Sequence, residues 1–256
     1  MPKFRKVTLL LYVVVIMFPF FYLFLLSLSA EWKFPDLTPN YFGIKNWQQI
    51  FSSQSGLGTS FITSLFISFF VALTSTSLGF YVSRYISYHP RRHTMSMLAY
   101  FPYVIAPVVF GACMIYFFLK MRLFGTLYGV ILAQSFVAFP YALIFFTSFW
   151  GERIQSYEQL VATLGGNIMQ GFLKVTLPLA KGMLMICFFQ TFLISWFEYG
   201  LTSIIGVGKV ETLTIKVFLF IKESNFYFGA LSCCLLILPP LFLIYLNKRY
   251  VFNKIL

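Results

Sequence analysis

Few residues in this chain are of the types that support catalysis or metal binding. The only two histidines, His89 and His93, flank the basic stretch HPRRH, and no cysteine or carboxylate stands near them in the sequence. A protein metal site needs further ligands of that kind, so we expect a basic loop here and no metal. Phosphate-loop, nucleophile-elbow and H-E-x-x-H motifs are absent from the sequence. We therefore predict no catalytic site and no cofactor on this chain, and any energy source must come from another chain.

The four cysteines all fall in apolar stretches of the sequence. They are Cys113, Cys187, Cys233 and Cys234. Such positions suit small packing residues better than a disulfide framework or a zinc site.

Composition indicates an integral membrane protein. Hydrophobic residues make up 59% of the chain, charged residues 10%, and the mean hydropathy is +0.83, whereas soluble domains carry about 25% charge. The apolar runs do not alternate with polar residues, which favours helices over spanning strands. We predict an all-α fold, a single transmembrane domain over 1–256. Its six expected spans lie near 7–29, 60–83, 97–119, 127–150, 182–205 and 226–246. The start, MPKFRK with SLSA at 27–30, also fits a signal peptide, but its apolar run is longer than a typical one, so we expect it to be retained.

The distribution of basic residues predicts the orientation. With a cytoplasmic N-terminus, 12 of the 19 Lys and Arg residues fall in the inner segments and 7 in the outer ones. Because inner loops are enriched in these residues, both termini should be cytoplasmic. This arrangement accounts for the net charge of +12 without any nucleic-acid partner.

Two further regions each allow two interpretations. In the outer segment 31–58, Ile44, Trp47, Ile50 and Phe51 have helical spacing, which fits either a short helix on the membrane interface or an ordered loop. Span three contains Pro102 and Pro107, and the resulting kink serves either a translocation path or packing alone.

The segment 151–180 is amphipathic and lies between two apolar spans. Its apolar residues recur at steps of three and four, which predicts one apolar helical face. They are Ile154, Tyr157, Val161, Leu164, Ile168, Phe172 and Val175. Ser156 with Gln159 fits a capping box, and Gly165-Gly166 allows a turn. Leu177 should be extended before Pro178, which opens span five. We predict two short helices hinged at glycine, either docking in a groove of a soluble partner or lying flat on the membrane.

This segment resembles the E-A-A-x-x-x-G loop of permease subunits in type I, binding-protein-dependent ABC importers. Gln159-Leu160-Val161 and Ala162-Thr163-Leu164 precede Gly165, and Val175-Thr176-Leu177-Pro178 follows at the family spacing. Gly166 and Phe172 also match, whereas Gln159 stands where Glu is usual and Leu164 replaces a frequent Asp. The stretch 195–221 is similar to the family's sequence after the fifth span. The resemblance covers about 60–246 and is closest to permeases for polyamines, phosphonates or ferric iron.

The resemblance implies that this loop forms a coupling helix, which docks on an ABC ATPase subunit that binds the ATP. The residues that it places at or around that contact are Glu158, Gln159, Leu160, Val161, Ala162, Leu164, Gly165, Gly166, Phe172, Leu177 and Pro178. It further implies an extracytoplasmic solute-binding protein and a bacterial inner membrane as the location. A second permease, identical or different, should cover the remaining apolar face.

Glu198 is the only acid inside a predicted span. At 1.5 Å per residue it lies roughly 24 Å above the cytoplasmic boundary, toward the outer end of the membrane. Either it belongs to a solute path formed with Trp196, Tyr199, Pro102 and Pro107, or it snorkels to the interface or pairs with Arg or Lys of a neighbouring helix. An ATP-independent carrier or channel is the alternative function, but it would need more acids at such depth. A membrane enzyme would need His and carboxylate residues that converge.

Overall fold

The computed structural model describes residues 2–29, 43–50 and 55–250, and the regular elements of this part of the chain are helices joined by short turns, without a β-strand. Helices α1 to α6 are Pro2–Ser27, Lys45–Gln48, Leu57–Tyr88, Arg92–Val104, Pro107–Lys120 and Leu127–Thr147. Helices α7 to α12 are Glu152–Thr163, Ile168–Gly171, Leu177–Trp196, Gly200–Gly206, Leu213–Lys222 and Phe226–Tyr250, and a π-helical turn at Phe172–Thr176 joins α8 to α9.

Five helical stretches of the described chain are long and apolar enough to cross a membrane. They are Val7–Ser27, Leu57–Tyr88, Leu127–Thr147, Ile168–Trp196 and Phe226–Asn247. The pair α4 and α5 gives a sixth if it is counted as one broken span. The expectation of an all-helical membrane protein is confirmed at this level.

Span three is two helices and not the single kinked helix expected over 97–119. Helix α4 ends at Val104, α5 begins at Pro107, and the two are bent by 87°. Ile105 and Ala106 between them are extended, each with ψ of 133°. The proline ring disfavours a helical residue before it, while its fixed φ suits the first turn of a helix. Pro107 therefore separates the two helices, and Pro102 lies inside the last turns of α4.

The span expected over 182–205 is also two helices. Helix α9 begins earlier, at Leu177, and ends at Trp196, and α10 follows at Gly200. A Cβ atom on Gly200 would lie 2.5 Å from Cγ2 of Val108 on α5, so only glycine permits this close approach. The turn at Val207 and Gly208, with φ of 46° and 69°, ends α10.

The described chain packs as two compact units. The first comprises Met1–Thr63 and Glu211–Phe242. The Asn46 amide donates to the Ser29 carbonyl at 2.7 Å, and the buried Lys216 pairs with Glu211 at 2.6 Å. The expected interfacial helix is a single turn, α2, with Ile50 buried and Ile44 exposed. Phe51 and the stretch 31–42 lie outside the described residues.

The second unit, Ser64–Val210 with Leu243–Leu256, contains two apolar cores. One is formed by α3, α5, α6 and α10 around Ile67, Val130 and Leu201, and the other by Phe80, Phe146, Trp150 and Ile154. Gly79 on α3 permits close contact with α6, because a Cβ there would lie 2.6 Å from Cβ of Ala142. The second core packs beneath α7, the helix for which the sequence predicts a contact with a partner protein.

Candidate functional site

The α7–α8 segment, residues 152–171, consists of two short helices joined by a glycine turn, as the pattern predicted. Its start differs from the expected capping box. Helix α7 begins at Glu152 after an extended Gly151, and Ser156 lies inside it, with its hydroxyl donating to the Glu152 carbonyl at 2.8 Å. The capping box is at the next helix, where Asn167 accepts from the Gln170 N–H at 2.7 Å and the Gln170 side chain accepts from the Asn167 N–H. The prediction at Ser156 and Gln159 is therefore wrong, because the helix that contains them already begins at Glu152.

The two turn glycines serve different purposes. Gly165 has a φ of +77°, and a Cβ atom added to it would have no other atom within 4 Å, so its backbone conformation alone favours glycine. At Gly166 a Cβ would lie 2.6 Å from Cγ1 of Val161. The first glycine therefore sets the direction of the chain, and the second lets α8 approach α7.

The π-helical turn connects this segment directly to α9. The Leu177 N–H donates to the Phe172 carbonyl five residues earlier, and Leu177 is helical, with φ of −64° and ψ of −45°. The expected extended conformation of Leu177 is wrong, since the wider turn accommodates the residue before the proline. Pro178 does stand in the first turn of α9.

Aromatic side chains attach the segment to the end of α3. Phe172 stacks on Tyr81 with 5.4 Å between ring centroids and contacts Phe80 at 6.1 Å. The Trp150 indole N–H donates to the Ser83 hydroxyl at 2.8 Å, and Trp150 packs against Phe80 at 4.8 Å. Because Phe80 and Trp150 are buried and Phe172 is half-buried, these rings fix where α7 begins and where the π-helical turn begins.

An ion pair joins the same two regions. Arg84 of α3 binds Glu158 of α7 at 3.1 Å, and the side chains are 31% and 19% exposed. The Thr176 hydroxyl donates to the same Glu158 oxygen at 3.3 Å, and the Arg84 guanidinium lies 6.0 Å from the Trp150 ring centroid. A cavity of about 360 Å³ adjoins this pair, between α3 and the segment. Glu158 therefore anchors α7 to the membrane helices.

The apolar stripe predicted as one face is divided between two environments. Ile154 is buried, and Tyr157, Val161 and Phe172 are half-buried against the chain. Four large apolar residues around the glycine turn are exposed instead: Leu160 by 56%, Leu164 by 79%, Ile168 by 81% and Met169 by 64%. We call these four the apolar tip.

One turn apart on α7, Arg153 donates a hydrogen bond to the Tyr157 hydroxyl at 3.3 Å, and this bond raises the pKa of Arg153.

Glu198 is held by hydrogen bonds between α9 and α10. Its carboxylate accepts from the N–H groups of Leu201 at 2.6 Å and Thr202 at 3.0 Å, from the Thr202 hydroxyl at 2.8 Å and from the Gln134 amide at 3.4 Å. Neither ion pair of the described residues includes it, so within the described chain Glu198 does not pair with Arg or Lys, one of the alternatives considered for it. A carboxylate at the N-terminus of α10 satisfies main-chain donors that no helical carbonyl can reach.

The neighbours of Glu198 in the sequence differ in exposure. Trp196 is 1% exposed and stacks on Phe192 with 5.8 Å between centroids, and Tyr199 is half-buried. Gln134 also accepts from the Ser195 hydroxyl and donates to Thr202 at 2.8 Å. The sequence did not indicate Gln134, because it lies 64 residues before Glu198 on another helix.

A second polar pair, which the sequence analysis missed, lies on the exposed surface of the apolar helices. The Tyr141 hydroxyl of α6 donates to the side-chain amide oxygen of Gln190 of α9, and Gln190 is exposed. Tyr141 stacks on Phe145 at 6.5 Å. Gln190 is the one side-chain amide in the uncharged run 182–197, which is the signal that could have identified it.

Comparisons with known proteins found ABC transporter subunits that are similar to this chain. No protein-family model matches the chain. It is 20% identical over 255 residues to the inner membrane ABC transporter permease protein YcjP of Escherichia coli K12, covering 95% of this chain and 90% of YcjP. It is 28% identical over 163 residues to the molybdenum transport system permease protein ModB of Mycobacterium tuberculosis H37Rv, covering 58% and 62% of the two chains.

A solved structure has the same fold. A chain of a bacterial ABC transporter involved in the import of the acidic polysaccharide alginate superposes with a TM-score of 0.70 at 18% identity, covering 97% of this chain and 95% of the other. At that identity the likeness concerns the fold of the membrane helices.

Proposed function

We propose that this chain, a homologue of ABC transporter permeases, is the transmembrane subunit of an ATP-driven importer and forms half of its solute path. Relatives of this class are transport components, and multiple apolar helices support a multi-pass protein of a bacterial inner membrane. In this proposal a separate ABC ATPase binds and hydrolyses ATP, and a solute-binding protein delivers the solute from outside. A second permease, identical or different, completes the path.

The observation that carries the proposal is the apolar tip. Four large apolar side chains are exposed on a short polar segment, while the base of that segment is fixed to α3 by buried rings and an ion pair. Helices in grooves are bound through apolar anchors at helical spacing, and a rigid base transmits displacement better than a mobile loop. We assign the tip to the contact with the ATPase, and the base to the transmission of motion into α3 and α9.

The orientation that we propose follows from this assignment. If the α7–α8 segment meets a cytoplasmic ATPase, the ends of α3 and α6 and the beginning of α9 lie on the cytoplasmic side. The basic residues of the inner segments then lie where the positive-inside rule expects them.

The path itself is proposed to run along the face that carries Tyr141 and Gln190. With Lys181 at the membrane boundary, Gln190 is about 14 Å deep in a hydrocarbon layer of about 30 Å. An exposed amide at that depth is costly against lipid, whereas a water-lined path between two permeases offers hydrogen bonds. Five residues remain predictions as path residues: Pro102, Pro107, Trp196, Glu198 and Tyr199.

The glycine turn provides the test of coupling. We expect Gly165→Val to abolish ATP-driven uptake while the chain still inserts in the membrane, because a β-branched residue is strained at a φ of +77°. The turn would then open and direct the apolar tip away from the ATPase. The measurement is uptake into vesicles, together with the amount of ATPase that co-purifies with the permease.

Two glycines supply matched controls. Gly151→Val introduces the same side chain beside the segment at an extended φ of −143°, where valine is unstrained. Gly208→Val introduces the same strain, at a φ of +69° and in open space, in the turn after α10. Both should retain ATPase binding. Normal uptake and normal ATPase binding by Gly165→Val would refute the assignment of the tip.

A further inference from the structure

A polar cavity of about 310 Å³ lies where the end of α3, the beginning of α4 and the end of α6 meet. Seven of its lining side chains carry hydrogen-bonding groups: Ser87, Arg92, His93, Ser96, Tyr100, Thr147 and Trp150, whose indole N–H donates to Ser83. We call it the basic cavity. Within the described chain, the hydroxyls of Ser87, Ser96 and Tyr100 make no hydrogen bond. The cavity therefore presents hydroxyl donors that have no acceptor from the protein.

The charge at the basic cavity is positive, and no carboxylate is among the residues that line it. No Asp or Glu occurs between Asp36 and Glu152. Both ion pairs of the described residues use other cations, Arg84 and Lys216, so Arg91 and Arg92 are without a carboxylate partner there. Arginine keeps its charge at any pH at which the protein is folded. The natural ligand is therefore an anion with several acceptor oxygens, such as a phosphate group.

The surface next to the basic cavity is strongly apolar. Along α4, Met97 is 73% exposed, Leu98 72% and Phe101 66%. A ligand that reaches from the cavity along α4 thus meets a cationic, hydroxyl-lined end and then an apolar face. The cavity also lies at the ends of two membrane-spanning helices, α3 and α6, which is the depth of lipid headgroups.

We propose that the basic cavity binds the phosphate of an anionic phospholipid, with the acyl chains along the exposed apolar face of α4. Basic recesses between membrane helices bind such headgroups by the same combination of charge and hydrogen bonding. Arg92 supplies the fixed charge, and Ser87, Ser96 and Tyr100 donate hydrogen bonds to the phosphate oxygens. The inference requires that the chain spans a membrane, but it does not depend on the proposed coupling to an ATPase.

The test is lipid retention by the full chain, purified with whatever subunits remain bound. The chain is reconstituted in nanodiscs of phosphatidylcholine and phosphatidylglycerol with identical acyl chains, and the retained lipid is counted by native mass spectrometry. We expect phosphatidylglycerol to be retained about fivefold over phosphatidylcholine, the preference that one arginine gives near a membrane surface. Arg92→Gln should abolish the preference, and Tyr100→Phe should reduce it.

Arg122→Gln is the matched control, because Arg122 is an exposed cation that does not line the cavity. It should keep the wild-type preference. Equal retention of the two lipids by the wild type, or equal effects of Arg92→Gln and Arg122→Gln, would overturn the proposal. Displacement of phosphatidylglycerol by inorganic phosphate at millimolar concentration would also overturn it, since the ligand would then be free phosphate. Transport plays no part in the readout, so a failure here leaves the proposed function intact.

Discussion

The carboxylate of Glu198, which the sequence places inside a span, lies just after the apolar stretch that ends at Trp196, and within the described chain it is satisfied without a cation. Four donors converge on it, two of them main-chain N–H groups of α10. In this arrangement its charge complements the positive end of α10. The role is structural, whereas the sequence suggested either a solute path or a position at the interface or in an ion pair.

We expect Glu198→Gln to destabilise the chain by about 1–3 kcal/mol, because an amide group would place a donor against donors and leave one N–H of α10 unsatisfied. The measurement is the thermal unfolding midpoint of the chain in detergent. Glu223→Gln, at an exposed acid after α11, is the control and should leave the midpoint unchanged. If both variants melt like the wild type, the capping role is excluded.

Gly165 and Glu198 show which residue properties can be predicted from the sequence. The conformation of Gly165 is local, because a glycine pair between two amphipathic stretches requires only a turn. The environment of Glu198 is not local, because Gln134 lies on a helix 64 residues away in the sequence. Periodicity alone also did not predict burial. The apolar stripe in 151–180 had the correct helical spacing, but the spacing could not distinguish the residues that pack on α3 from those that are exposed.

The α7–α8 segment depends on its attachment to α3. Arg84 and Glu158 carry opposite charges, are both partly shielded from water and have no other ion-pair partner in the described chain. Removing one partner of such a pair leaves the other incompletely compensated.

We expect Arg84→Glu and Glu158→Arg each to weaken ATPase binding, and the double variant to recover a large part of it. The physical reason is that the exchanged charges attract again across the same distance. A coupling free energy of about 0.5–3 kcal/mol between the two positions is expected from a double-mutant cycle of ATPase affinity. Additive losses, without recovery in the double variant, would show that the ion pair does not position the segment.

At the level of elements, the sequence predicted which regions are helical but not where two spans break. Pro107 was recognised as a kink, yet the extended residues Ile105 and Ala106 make it a separation between two helices. The break after Trp196 had no proline to mark it. It depends on Glu198 bonding to α10 and on Gly200 packing against Val108, and such contacts between distant helices leave no periodic trace in a sequence.

For the whole molecule, the Tyr141–Gln190 pair lies on the exposed face along which the path between two permeases is proposed to run. We expect Gln190→Cys, in a background with the four native cysteines replaced, to react with a membrane-impermeant methanethiosulfonate when the chain is assembled with its partner permease. Water in the path would bring the reagent to this depth.

Phe136→Cys is the control at an exposed apolar position of α6, which should face lipid and remain unreactive. Protection of Gln190→Cys in every nucleotide state would assign this face to direct helix contact with the partner permease. Equal reactivity at both positions would indicate that the helices are not packed in the membrane.

The π-helical turn at Phe172–Thr176 has main-chain hydrogen bonds that span five residues instead of four, so it contains one residue more than an α-helical turn. Each residue advances an α-helix by about 100°, so the extra residue fixes how far α9 is rotated about its axis relative to α8. In the proposed importer, the π-helical turn therefore determines which side of α9, and with it Gln190, faces the path when the apolar tip is bound.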